Sequence, residues 1–141
     1  MSTRVSTQIW EWYGADEFAL VLRTCELGGA LEFLALDAEL QSESIPDCPA
    51  CEAWSTYILR INDFLECLNQ SERSTLTSHL DLIWATCNNM SVACYDRQIF
   101  NNTEWVVVRQ HARAALEELG WVELKEHSED LMLTCRKALF P

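Results

Sequence analysis

The chain has 141 residues, 49% of them apolar and 23% charged, with 22 acidic side chains against ten basic ones and a net charge of −12. That length fits one domain whose core needs no covalent staple, and the composition excludes an intrinsically disordered chain. The charge repels nucleic-acid phosphates and anionic membrane surfaces, so the expected partner is a protein with a basic surface, with no nucleic acid and no membrane.

Residues 1–8 read as a flexible N-terminus and 9–141 as a single helical domain. Met1 to Gln8 is polar and carries no apolar signal segment, which predicts a soluble protein that stays in the cytoplasm. Ile9-Trp10-Glu11-Trp12-Tyr13 is an aromatic cluster ending at Gly14. Asp16 to Leu27 places Phe18, Val21, Leu22 and Cys25 at helical spacing. Gly28-Gly29 predicts a break or a sharp kink, after which Ala30 to Leu40 resumes the pattern. Gln41 to Asp47 reads as a polar loop. Pro49 suits the first turn of a new helix, where its missing N–H costs nothing. Trp54, Tyr57, Ile58, Ile61, Phe64, Leu65 and Leu68 then recur at three- and four-residue steps, predicting a helix that ends near Asn69.

Ser71 or Ser74 caps the next helix, whose inward face is Leu76, Leu80, Ile83, Trp84 and Cys87. Ser91 to Phe100 fits either a short helix or a crossing loop. Asn102 or Thr103 caps a further helix bearing Trp105, Val108, Ala112, Ala115, Leu116 and Leu119, stopped by Gly120. Val106-Val107-Val108 favours a strand locally, but the Ala- and Glu-rich stretch after it predicts a helix. Ser128 caps a last helix with Leu131, Cys135, Ala138 and Leu139. No run alternates like a strand and no hairpin turn occurs, so the expected fold is all-α, a compact single-domain bundle of six to seven helices.

Cys48-Pro49-Ala50-Cys51 is the short pattern with chemistry in its spacing. Two thiols so placed can grip one metal ion or close one disulfide, but the first expectation is two ordinary cysteines in a helix-entry loop and no cofactor; zinc is the candidate metal and a redox centre the lesser alternative. A thiol in a first helical turn is stabilised as thiolate, whereas the flanking Asp47 and Glu52 oppose a further negative charge. A zinc site needs more ligands. Cys87, Cys94, His79, His111 and His127 are the available residues, and no two of them form a matching pair. Seven cysteines, an odd number, argue against a disulfide framework, and Cys25, Cys67, Cys87 and Cys135 fall in apolar stripes as small hydrophobes.

Three histidines without an adjacent nucleophile, and four glycines without a phosphate-binding loop, predict that the protein is not an enzyme. Trp10, Trp12 and Tyr13 are the candidate partner-binding surface, because tryptophan and tyrosine carry much interface energy. The same segment also fits as a cap folded back on the bundle, or as a homodimer contact. In size, acidity and helical pattern the chain resembles small viral helical-bundle modulators related to apoptosis regulators, and small acidic immunity or inhibitor proteins. The likeness is one of class: the Asn-Trp-Gly-Arg segment of the first group is absent and the second group shares no motif. The expected function is a non-catalytic protein–protein interaction module, an acidic inhibitor or modulator. The alternative is a zinc-stabilised domain or thiol–disulfide protein centred on Cys48 and Cys51.

Overall fold

Helices α1 (Val5–Gly14), α2 (Phe18–Leu34) and α3 (Ala38–Ser44) open the computed structural model, which describes residues 4–68 and 73–141. Helix α4 (Pro49–Glu52) runs through a π-helical segment (Ala53–Ile58) into α5 (Leu59–Cys67) as one rod. Helices α6 (Thr75–Asn88), α7 (Thr103–Leu119) and α8 (Trp121–Leu139) complete the chain, with a 3-10 turn at Ile99–Asn101. The result is an all-α bundle of seven rods, with no strand among the described residues.

Helix α2 is the axis of the bundle. Leu20, Val21, Leu22, Leu27, Leu31, Phe33 and Leu34 bury its surface nearly all round, the mark of a central helix. It packs against α8, α5, α7 and α1, while α6 lies along α7. Each fully buried side chain of this size contributes about 1.5–3 kcal/mol of transfer free energy.

Several boundaries differ from expectation, each for a packing reason. Gly28-Gly29 does not break α2, which runs straight through both residues. A side chain at Gly28 would collide with the indole of Trp121, so that glycine lets the first residue of α8 pack its ring directly on α2. The stretch expected as a loop from Gln41 forms part of α3. Its cause is the wholly buried Gln41 amide, which donates to the carbonyls of Phe33 (3.0 Å) and Leu34 (3.2 Å) at the end of α2.

Helix α1 begins at Val5, inside the stretch read as a loose terminus, because Val5 and Ile9 are buried one turn apart. Ser128 caps no helix. It lies inside α8, buried, with its hydroxyl donating to the Lys125 carbonyl at 2.9 Å. Ser74 is the N-cap of α6, and its N–H donates to Thr77 Oγ1 at 2.8 Å. Ser71 and the expected helix end at Asn69 lie outside the described residues. Residues 106–108 are helical, as the flanking composition predicts, with Val108 in the core. Gly120 ends α7 in the left-handed conformation, φ +74°.

Candidate metal centre

Three thiols converge at one pole of the bundle. Cys48 is the N-cap of α4 and Pro49 its first residue, so the chain enters the helix with Cys51 in the first turn. Cys94 reaches the same point from the crossing loop between α6 and the 3-10 turn. The sulfurs of Cys48, Cys51 and Cys94 all lie within 4.8 Å of one another. Cys48 is buried, while Cys51 and Cys94 are exposed.

The crossing loop is bent for this purpose at Tyr95, whose backbone is left-handed, φ +65°. A residue with a side chain pays about 1–3 kcal/mol for a sparsely populated conformation of this kind. Its N–H donates to Cys48 Sγ at 3.2 Å, and the residue is 71% exposed. Two residues on, the Arg97 guanidinium donates to the carbonyls of Ser42 (3.2 Å), Ile45 (2.7 Å), Pro46 (2.9 Å) and Asp47 (3.1 Å). One cation therefore gathers the carbonyls of the α3–α4 connection and fixes Cys48 against the loop that carries Cys94.

The three thiols are chemically unequal. Cys48 is held below the ordinary thiol range, first by the Cys51 backbone N–H, then by the Tyr95 N–H and the neighbouring thiols, against an opposing effect of burial. Cys51 is pushed up to about 11, chiefly because its S–H donates to Cys48. The arrangement is one favoured thiolate among thiol donors. A tetrahedral zinc ion with Zn–S bonds of about 2.3 Å separates its sulfurs by about 3.8 Å. Sulfurs already within 4.8 Å need only a small contraction to meet that geometry. The π-helical segment begins two residues after Cys51, and such segments recur beside functional sites. It carries Tyr57, stacked on Phe33 at 4.0 Å between ring centroids, and Trp54, edge-on to Trp84.

The other residues singled out from sequence disperse. Trp10 is 45% exposed and sits edge-on to His127, whereas Trp12 and Tyr13 pack in part against the core. Trp10 is thus the exposed member of the three, with Trp12 and Tyr13 half-buried. His79 and His111 face each other across α6 and α7 with their Nδ1 atoms 2.9 Å apart. Cys87 is buried inside α6, leaving Cys94 as the residue that completes the pair. Arg109 donates to the Leu36 and Phe100 carbonyls and to Gln41 Oε1, and Arg113 to the Ala35 carbonyl and Asp37.

Cys94 stood among several candidates in the sequence with nothing to select it. The usable signal was context: Cys87 repeats at helical spacing with Leu80 and Ile83, whereas Cys94 sits in a stretch without periodicity. Among the described residues, no helix is long and apolar enough to cross a membrane. No protein family, curated protein or solved structure matches the chain.

Proposed function

We propose that the protein is a non-enzymatic helical interaction module whose loop pole is fastened by a soft metal ion, zinc first, on Cys48, Cys51 and Cys94. The observation that supports this reading is the convergence of three sulfurs from two distant segments within 4.8 Å. Thiolates select zinc over hard cations, and a metal holding both segments stabilises the fold by its binding free energy. The metal here is structural: it joins the entry of α4 to the crossing loop and so presents the exposed Tyr95 and the acidic residues around it to a partner. The net charge of −12 favours a partner with a basic surface, and an inhibitor or modulator role fits a small acidic protein of this kind.

The test is metal analysis of protein purified under reducing conditions, followed by thermal melting with and without a chelator. Near-stoichiometric zinc, lost in Cys48→Ser and Cys94→Ser alike, supports the reading. A metal-free protein that takes up no zinc on titration removes it. A thiol–disulfide role is the second reading, favoured by the contrast between the lowered Cys48 and the raised Cys51. Rapid alkylation of Cys48 alone, with turnover of a disulfide substrate, would point to that role instead.

A further inference from the structure

The three thiols make an incomplete tetrahedron. Among the described residues, no fourth His, Cys, Asp or Glu comes within 4.8 Å of all three sulfurs. The missing vertex faces outward, since Cys51, Cys94 and Tyr95 are exposed while Cys48 closes the inner side. A structural zinc site normally takes four ligands, and one with three protein ligands keeps a position for an outside donor.

We infer that this fourth position receives a neutral imidazole from outside the chain, the histidine side chain of a protein bound at this pole. The inference rests on the metal reading above and adds the chemistry of the partner. Electrostatics chooses the donor. A dication with three thiolates carries one net negative charge, and a fourth thiolate would double it beside Asp47, Glu52 and Asp96 in a chain of net charge −12. An imidazole adds no charge and gives the Cys3His set common in structural zinc sites.

Within one copy, none of the chain's own imidazoles joins the cluster. His79 and His111 pair with each other, and His127 lies on α8 against Trp10 with its Nε2 3.3 Å from Glu126. Tyr95, next to Cys94 in the chain and bound through its N–H to Cys48 Sγ, is 71% exposed, so the segment carrying the cluster is open to a partner. On binding, the imidazole nitrogen displaces solvent. No bond within the protein breaks and no electron is transferred.

Cobalt(II) reports the ligand set directly. The reduced protein is loaded with cobalt in place of zinc and titrated with imidazole, with a peptide containing one histidine, and with the same peptide carrying alanine there. The expected result is a saturable shift of the visible ligand-field bands with imidazole and the histidine peptide only. The sulfur-to-cobalt charge-transfer band should hold constant at the intensity of three thiolates, and Cys94→Ser should abolish it together with the bound metal. Cobalt bound through three thiolates with no response to imidazole overturns the inference and leaves the metal reading standing. No cobalt uptake overturns both.

Sedimentation of the zinc-loaded protein assigns the donor's source. A zinc-dependent dimer abolished by His127→Ala identifies a second copy of this chain. A monomer that still responds to imidazole assigns the histidine to a different protein.

Discussion

The thiol pole and the α2 axis hold together by opposite means. Around α2, cohesion comes from apolar area: Leu27, Leu31 and Leu34 are wholly buried among α5, α7 and α8. At the pole it comes from directed bonds, with four carbonyls gathered by Arg97 and one N–H on a sulfur. Apolar packing tolerates small shifts and fails by cavities. Directed bonding fails bond by bond and responds to ligands, which is why chemistry belongs at the pole and stability at the axis.

The largest effect should follow an attack on the axis. Leu31→Ala should destabilise the fold by about 2–5 kcal/mol, read as a lower denaturant midpoint, while the thiol cluster stays intact until global unfolding. Arg97→Ala should cost less, about 1–2 kcal/mol, since the guanidinium is exposed and its bonds are partly replaced by water. It should nevertheless weaken zinc uptake and speed amide exchange at Tyr95 without changing exchange within α2. Equal loss of protection at both places would show that the two regions are one cooperative unit.

A pH series separates them further. Burial pushes the Cys25 and Cys87 thiols up to about 12, so both stay neutral in the folded protein. The unfolded chain releases those protons near its ordinary value of 9.0. The folded state then binds more protons than the unfolded one, and stability, fully present below about pH 9, falls as pH rises towards 12. Denaturant midpoints across that range check the sign, and Cys87→Ala should flatten the slope.

The smallest predicted effect is also the most local. Gly29 has open space where a side chain would go, so Gly29→Ala should raise stability by up to about 1 kcal/mol. Gly28→Ala, one position earlier, should lower it because Trp121 occupies that space. Thermal melts of the two variants should move in opposite directions.

The helices that surround the axis were legible because burial repeats. Tyr57 to Leu68, Leu76 to Cys87 and Trp105 to Leu119 each write a face at helical spacing. The Gly28-Gly29 pair misled because local propensity says nothing of a tryptophan arriving from α8, more than ninety positions away. The α3 helix was hidden for a similar reason. Gln41 looks like loop polarity in sequence, yet its amide is buried where two carbonyls at the end of α2 need donors. At the site, Cys48 and Cys51 announced themselves by spacing, while Cys94 shares no local pattern with them. The left-handed turn that places it falls on a tyrosine and not a glycine.

The Tyr95–Cys48 bond spans 47 positions in the chain, and the Arg97 contacts reach back 50 to 55. Contacts of such separation carry a loop-closure entropy that short-range helical contacts avoid. The intervening α4–α5 rod must be packed on the axis, and α6 on α7, before this clasp can close. Closure of the pole is therefore expected late in folding, which would make the state of its thiols a clock by which maturation of the whole chain can be timed.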